Sequence, residues 1–402
     1  MNLLSAAERF ASMDRSSVTL DSQRCLHTQD RFSTCQACYD LCPVEAIQPG
    51  KPPTLVAEKC QSCLACLITC PTGAYIADDA VPALLNCTSR LENGQVELLC
   101  SFHPSIQIGI SEEIVGVRIR GCLAGLGSSA YLALAAIGIH HSYVRVDGCA
   151  KCPWVNLKAQ IQQQTHQAQV LLGGWGKDQM VSCVSELSEG TERPLWDADN
   201  PPLSRRDLFR MAAKQGQVAI ARAMTADQPT GEKIPGRNYL RIAGAVKHLP
   251  PVTSSSEFPL VDTGYATLTI NEECTACNAC GRVCPTQALK FEMDVDKTKY
   301  KLEFSPLSCV GCEACAHVCA PQAICIEHTP LFNQVFASQE PILLREGGLT
   351  RCAKCNAIIA DRPGVNLCSV CEYRQNNPFG SMLPPGLKSR MEKINKESTY
   401  DH

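Results

Sequence analysis

Cysteine thiols in one repeated spacing are the side chains of this sequence with the clearest chemistry. The 402-residue chain contains 27 cysteines, and the spacing C-x2-C-x2-C-x3-C-P occurs at 60–71 and again at 274–285. A cubane of irons and sulfides needs a thiolate at each iron corner, and two-residue gaps let three successive cysteines reach three corners. The fourth cysteine then points elsewhere, and its proline stiffens the exit turn. The spacing therefore predicts 4Fe–4S clusters.

Two further stretches repeat the pattern with a change. The copy at 309–321 has Ala320 inserted before the proline, and the copy at 35–43 lacks its first cysteine because Phe32 stands there. Similar tails follow all four copies, namely PVEAI, PTGAY, PTQAL and PQAI. The copies form two pairs along the chain, which indicates an internal duplication. Zinc or buried thiols explain the pattern less well, because tetrahedral zinc gains nothing from three consecutive two-residue gaps.

The motifs resemble those of bacterial ferredoxins with two 4Fe–4S clusters. In that family the fourth cysteine of each motif ligates the neighbouring cluster. The resemblance implies a complete set of ligands in the second half of the chain and one missing ligand in the first half. The implied sets are Cys274, Cys277, Cys280 and Cys319; Cys309, Cys312, Cys315 and Cys284; Cys60, Cys63, Cys66 and Cys42; and the incomplete set Cys35, Cys38 and Cys70.

Cys25 is the available donor for the incomplete set. It precedes Cys35 in the segment CLHTQDRFSTC, and an extended loop of that length can fold back on a cluster. We predict that Cys25 is the fourth ligand. Otherwise the site would hold a three-iron cluster or use a ligand other than cysteine.

Four cysteines near the end form a separate site with the spacing C-x2-C-x12-C-x2-C. Two such knuckles suit a tetrahedral zinc ion with no open position, which makes the metal structural. Iron in a rubredoxin-like site is the alternative, but Asn356 and Ser369 replace the Gly and Pro that tend to follow those cysteines. We predict a zinc ribbon that acts as a docking module. Its ligands are Cys352, Cys355, Cys368 and Cys371.

The middle of the chain, 95–185, reads as alternating strands and helices. The apolar runs VELLC, VGVRIRGC, SYVRVDGCAKC and AQVLLGGWG predict strands, and SSAYLALAAIGI and VNLKAQIQQQTHQAQ predict helices. This order is typical of a parallel sheet covered by helices. Four cysteines follow strand ends, and the carboxyl ends of parallel strands line one crevice. They are Cys100, Cys122, Cys149 and Cys152.

The layout of these four cysteines resembles the small iron–sulfur domain of hydrogenase-linked adaptor subunits, such as the delta subunit of methyl-viologen-reducing hydrogenase. That resemblance implies a 2Fe–2S cluster. Structural or redox-active thiols are the alternative, because the long gaps between the cysteines are not diagnostic. A dinucleotide site is a further alternative, since Gly125, Gly127 and Ala130 fit G-x-G-x-x-A and Asp147 ends the next strand. The loop before the helix is long, so we expect its glycines to permit close helix-to-sheet packing instead.

The segment 186–261 is rich in Pro, Ser, Glu and Asp, and we predict a linker. Inside it, the stretch that begins at Ser204 with an Arg pair predicts an amphipathic helix rather than an export signal, because it lies far along the chain. Cys87, Cys183 and Cys325 belong to no pattern, and we expect Cys325 to pack in the core.

The sequence thus predicts a multidomain chain of α+β and α/β classes, with two bacterial-type ferredoxin domains, a central small parallel α/β domain and a C-terminal zinc ribbon. The predicted bounds are 20–82 and 262–330 for the ferredoxin domains, 95–185 for the α/β domain, 186–261 for the linker, 345–376 for the ribbon and 377–402 for a polar tail.

Composition excludes several classes of protein. Lys and Arg number 37 against 40 Asp and Glu, so no basic field attracts nucleic acid or an anionic membrane. Disulfide-rich chains are usually short and secreted, and the first residues lack the features of a secretion signal. The uncharged stretch 121–144 contains glycines and two histidines, which favours a buried helix over a membrane span. We expect a cytoplasmic protein, docked at most on a membrane complex that other chains anchor.

No nucleophile–base pair, paired carboxylates or phosphate-binding loop stands out in the sequence. We therefore expect an electron-transfer subunit, not itself catalytic, that relays electrons through at least four 4Fe–4S clusters. Its partners would be redox subunits of a larger oxidoreductase, such as a hydrogenase or formate dehydrogenase. The alternatives are a flavin- or NAD(P)H-dependent reductase that uses its middle crevice, and an iron–sulfur maturation factor.

Overall fold

The computed structural model describes residues 18–187, 190–202, 233–252 and 256–377. These residues form two units. The first unit contains the described residues up to Thr263 together with Leu331–Ala337, and the second contains those of 264–330 and from Ser338 onward. The predicted helix that begins at Ser204 and nearly all of the predicted polar tail lie outside the described residues.

Residues 18–88 of the first unit, here called the first cysteine segment, consist of short elements joined by tight turns. The elements are β1 (Thr19–Leu20), β2 (Ile47–Gln48), β3 (Thr54–Leu55) and β4 (Tyr75–Ile76), with helices α1 (Leu26–Gln29), α2 (Ala65–Thr69) and α3 (Val81–Thr88). β1 pairs with β4 and β2 with β3, both antiparallel. The β1–β4 pair joins the two ends of the segment. Ile47, Leu67 and Tyr75 are buried beneath the cysteine turns.

The rest of the first unit is organised around a parallel sheet. Its elements are β5 (Gln95–Cys100), β6 (Ile108–Gly109), β7 (Val115–Ile119), β8 (His141–Arg145), β9 (Val181–Val184), β10 (Thr191–Glu192) and β11 (Leu195–Asp197), with α4 (Gly127–Ala136), α5 (Leu157–Gly173) and α6 (Arg237–Val246). Five strands lie in the order β11–β7–β5–β8–β9, and every neighbouring pair is parallel. The prediction of a parallel sheet is confirmed. Because all five strands run the same way, their carboxyl ends share one edge of the sheet.

The uncharged helix α4 lies at the centre of this layer. All residues from Gly127 to Ala135 are buried, because α3, α5 and α6 all pack against this helix. A helix that is apolar on every side is typical of such a position. The stretch 121–144 therefore forms a core helix and most of strand β8.

Two parts of this layer differ from the sequence prediction. The run AQVLL was predicted as a strand, but it forms the last turns of α5, since Ile161, Ala168 and Leu172 continue its buried face at helical spacing. The strand that follows β8 in the parallel sheet is β9 instead. The predicted linker 186–261 supplies parts of the fold, because β11 extends the sheet and α6 packs on α4.

The second unit consists of residues 264–330, here called the second cysteine segment, and the residues from 338 onward. The remaining elements of the chain are β12 (Thr267–Ile270), α7 (Ala279–Val283), β13 (Leu289–Met293), β14 (Lys299–Phe304), α8 (Ala314–His317), β15 (Ile324–Glu327), α9 (Phe332–Phe336), β16 (Ile342–Arg351), β17 (Ile358–Ala360) and α10 (Ser369–Asn376). β12 pairs with β15, and a four-stranded antiparallel sheet has the order β13–β14–β16–β17. The predicted ribbon therefore begins inside β16, which pairs with a strand of the second cysteine segment.

Helix α9 belongs to the first unit. Phe332 is fully buried there, with its ring centroid 5.1 Å from that of Trp175 and 5.2 Å from that of Phe258. No helix among the described residues is long and apolar enough to cross a membrane.

Candidate metal centres

The backbone of the cysteine motifs alternates between left-handed and right-handed conformations around the middle cysteine of each triplet. In three copies, the residues just before and just after that cysteine have positive φ angles. They are Ser62 and Leu64, Ala276 and Asn278, and Gly311 and Glu313, with φ between 51° and 63°. Such alternation turns successive backbone N–H groups toward one point, an arrangement that recurs at iron–sulfur sites. These positive φ angles could not be predicted from the sequence, because only one of the six residues is glycine.

The repeated tails after the motifs have a structural reason as well. In three copies the backbone N–H of an alanine four residues after the last cysteine donates a hydrogen bond to the sulfur of that cysteine, over 3.2 Å. The pairs are Ala46 and Cys42, Ala74 and Cys70, and Ala323 and Cys319. Hydrogen bonds to sulfur stabilise the thiolate and tune the potential of a cluster.

Cys25 lies in a cavity of the first cysteine segment together with the incomplete set of three cysteines. The cavity encloses about 370 Å³, and its lining includes Cys25, Cys35, Cys38 and Cys70. His27, just after Cys25, helps to fold this loop back, because its Nε2 lies 2.7 Å from the carbonyl oxygen of Cys35. The structure therefore brings the predicted fourth donor to the site.

The second set of the first cysteine segment also converges. Burial raises the pKa of the Cys66 thiol, and the neighbouring thiols of Cys63, Cys60 and Cys42 raise it further. Cys42, Cys60 and Cys66 also pack against the same buried core of the first cysteine segment.

The second cysteine segment contains two cavities of similar size, about 390 Å³ and 380 Å³. Each is lined by three cysteines of one motif and the last cysteine of the other motif, which is the exchange that the ferredoxin resemblance implies. The sets are Cys274, Cys277, Cys280 and Cys319, and Cys309, Cys312, Cys315 and Cys284.

Burial makes these thiols poor acids on their own. It raises the pKa of Cys38 and Cys63 to about 11, and that of Cys280 and Cys309 to about 12. A group of buried thiolates needs a cationic partner, which bound iron supplies while the protons are released. The chemistry of the donor sets therefore fits iron–sulfur clusters.

The four strand-end cysteines line one cavity at the carboxyl edge of the parallel sheet. Cys100, Cys122, Cys149 and Cys152 border about 410 Å³, which Phe102, His103 and Trp154 help to enclose. Burial raises the pKa of Cys100 to about 11 and that of Cys149 to about 12. The sequence anticipated this convergence, but it did not identify the aromatic residues, which carry no spacing signal.

A buried network of charges supports the same edge of the sheet. Asp147 accepts hydrogen bonds from Nε and Nη2 of Arg145, both over 2.7 Å, and its Oδ1 lies 3.2 Å from Nε2 of His103. On the other side, Glu97 accepts hydrogen bonds from Arg145 and, over 2.8 Å, from Arg193. The network connects the loop after β5, which carries His103, to the loop after β8, which carries Cys149.

The first turn of α4 is not open for a dinucleotide. The backbone N–H of Ser129 donates to Oδ1 of Asn238 over 3.0 Å, and a Cβ atom on Gly127 would lie 2.6 Å from the same oxygen. Asp147, the other residue of the dinucleotide pattern, is engaged by Arg145. The glycines permit close packing, but against Asn238 of α6 and the turn around Cys63 rather than against the sheet as predicted.

The ribbon cysteines form the tightest group of sulfurs. All four ligand atoms of Cys352, Cys355, Cys368 and Cys371 lie within 4.8 Å of one another, and Cys355 Sγ is 3.6 Å from Cys368 Sγ. Four thiolates around one zinc ion lie about 3.8 Å apart, given Zn–S bonds of about 2.3 Å. Within the described part of the chain, no other three Cys, His, Asp or Glu side chains come this close. The ribbon therefore suits a single ion, whereas the other sets are spaced more widely.

Three cysteines lie outside all of these groups. Cys87 is fully buried in α3, and Cys183 is half-buried in β9. The prediction that Cys325 packs in the core is wrong, because side chains alternate along β15 and Cys325 lies on the exposed side.

Comparison with known proteins agrees with the cavities of the second cysteine segment. A family described as the 4Fe-4S dicluster domain matches residues 273–323. No curated protein matches the chain. The match and the cysteine groups together show an iron–sulfur protein with a ferredoxin-like 4Fe–4S domain, and they confirm the prediction of iron–sulfur metal binding. The remaining cluster assignments stay predictions.

Proposed function

We propose that this chain is an electron-transfer subunit that carries four 4Fe–4S clusters, two in each cysteine segment. The observation that carries the proposal is the convergence of cysteines on three separate cavities, each lined by four of them. In the two cavities of the second cysteine segment, three cysteines come from one motif and one from the other. Each transfer moves one electron, so that one cluster is oxidised while its neighbour is reduced and no bond is made or broken. The ligands would be the sets predicted from the sequence, with Cys25 completing its site.

A fifth cluster, of the 2Fe–2S type, would occupy the strand-end cavity. Cys100, Cys122, Cys149 and Cys152 supply the four thiolates that such a cluster needs, and the buried ring of Trp154 covers part of the site. The protein would orient these thiolates through the network of Arg145 and Asp147.

A structural zinc ion would occupy the ribbon. The spacing of its four sulfurs leaves no open coordination position for a substrate. The ribbon would brace β16 and β17 and offer a docking element.

The partners would be redox subunits of a larger oxidoreductase, of the hydrogenase or formate dehydrogenase class. Cytoplasm is the proposed location, because thiolate ligands stay reduced there.

Metal and sulfide analysis of the anaerobically purified chain, combined with EPR at graded potentials, tests this proposal. We expect roughly 18 irons per chain, from four cubanes and one 2Fe–2S cluster, together with one zinc ion. About 16 irons without a 2Fe–2S signal would remove the fifth cluster only. Bound flavin, or bleaching of the iron–sulfur absorbance by NAD(P)H without a partner, would overturn the relay in favour of a reductase. Slow stoichiometric transfer of iron to an apo-enzyme would favour a maturation factor.

A further inference from the structure

The first cysteine segment and the strand-end cavity meet at two turns. Leu123–Gly125 forms a short helical turn directly after Cys122, and it packs against the turn around Cys63 and α2. A Cβ atom on Gly125 would lie 3.1 Å from the carbonyl oxygen of Cys63 and 3.0 Å from Cβ of Leu64. The two turns are therefore in direct van der Waals contact, and each carries a candidate ligand.

A side chain of the strand-end cavity reaches across the same contact. Trp154 lines the cavity, and its Nε1 donates a hydrogen bond to Oε1 of Gln61 over 2.8 Å. Gln61 lies between Cys60 and Cys63 in the sequence.

The cavity that contains Cys25 has different surroundings. Every residue that lines it lies between Leu20 and Tyr75, so the parallel-sheet layer contributes none of its wall. The two candidate cluster sites of the first cysteine segment therefore differ in their contact with the strand-end cavity.

The geometry points to a direct electron-transfer contact between the cluster of Cys42, Cys60, Cys63 and Cys66 and the cluster of the strand-end cavity, across the turns that carry Cys63 and Cys122. This inference rests on the proposed function. One electron leaves the first cluster and reduces the second, or the reverse. The Cys25 cluster exchanges electrons with the strand-end cluster only through the cluster of Cys60.

The test uses the full chain, reconstituted anaerobically and reduced until the cubanes as well as the strand-end cluster are reduced, and follows the spin relaxation of the strand-end cluster by EPR power saturation. Removal of the adjacent cubane in the double variant Cys60→Ala and Cys66→Ala should lower the half-saturation power several-fold, because a fast-relaxing neighbour is lost. The matched variant Cys35→Ala and Cys38→Ala removes the other cubane of the same segment and should leave the half-saturation power near the wild-type value. Equal effects of the two variants, or no effect of either, would overturn the inference.

The wild-type chain provides a second measurement that does not depend on the folding of variants. During a reductive titration, relaxation of the strand-end signal should accelerate as the cubane of the Cys60 set becomes reduced. Relaxation that stays constant while every cubane is reduced would overturn the inference. A chain whose cubanes accept electrons but which shows no strand-end signal would also overturn it and leave the four-cubane relay standing. Cubanes that accept no electrons would instead overturn the proposed function.

Discussion

Trp154 and Gln61, which are 93 residues apart in the sequence, are joined by a hydrogen bond of 2.8 Å from the indole N–H to the amide oxygen. Trp154 is buried, and its ring packs edge-on against Phe102 with centroids 5.0 Å apart. The bond fixes the first cysteine segment on the wall of the strand-end cavity.

Loss of this bond should destabilise the first unit. Gln61→Ala removes the partner of the indole N–H, and such a hydrogen bond contributes about 0.5–1.5 kcal/mol to stability. We expect a lower urea midpoint of the first unit, followed by near-UV circular dichroism. Gln163→Ala, at an exposed position of α5, is the matched control and should leave the midpoint unchanged. Indistinguishable midpoints for the two variants would contradict this role of the bond.

Cys25 should be a cluster ligand. Cys25→Ala should lower the iron content by about one to four atoms per chain and should produce a three-iron EPR signal if the remaining cysteines retain a partial cluster. Cys325→Ala serves as the control, because Cys325 is exposed and lies outside every cysteine group. Wild-type iron content in both variants would exclude Cys25 from the site.

The strand-end cavity should lose its cluster without effect on the cubanes. In Cys149→Ser, we expect the 2Fe–2S signal to disappear and the iron content to fall by about two atoms per chain. Cys183→Ser changes a cysteine on β9 of the same sheet that does not line the cavity, and it should retain the signal. If both variants keep the signal, the four cysteines do not ligate a cluster together.

The buried charge network should be essential for the stability of the parallel sheet. Glu97→Gln removes the charge that faces Arg145 and Arg193, whose side chains are both fully buried. Arg145 keeps its pair with Asp147, but Arg193 loses the carboxylate it is paired with, and breaking a buried ion pair on one side typically costs about 3–5 kcal/mol. Chemical denaturation should show this loss, whereas Glu292→Gln, in an exposed pair with Lys290, should have little effect. Equal stability of the two variants would contradict the importance of the network.

Zinc in the ribbon should be released by acid. In the free thiols, backbone N–H groups of Cys355 and Cys368 lower the pKa of Cys352 to about 6, whereas the side-chain hydrogen bond with Cys355, above all, raises that of Cys371 to about 12. Because all four zinc ligands must be deprotonated, zinc competes with protons and its affinity falls as the pH drops. A zinc-sensitive dye should report more free zinc at about pH 5 than at about pH 7. Cys371→Ser should abolish zinc binding at both pH values while iron content stays constant, and loss of iron instead would argue for an iron site in the ribbon.

The iron–sulfur chemistry of the cysteine motifs was predictable from the sequence alone. Gaps of two residues, as between Cys274, Cys277 and Cys280, place successive thiols within one local turn, so the pattern is visible without the rest of the fold. The ribbon knuckles and the parallel sheet were predictable for the same reason, since they depend on short spacings and on strand periodicity.

Contacts between distant parts of the chain depend on the tertiary fold. The sequence anticipated that Cys25 and the strand-end cysteines would converge, but it did not identify Phe102, His103 and Trp154 as neighbours of the strand-end cysteines. The segment that was predicted as a linker contributes β11 to the sheet and α6 to the helical layer. The sequence did not predict this, because the pairing of β11 and the burial of α6 depend on partners far away in the sequence. The contact between Gln61 and Trp154 has no sequence signal at all, since a single hydrogen bond across 93 residues exists only after both layers have packed.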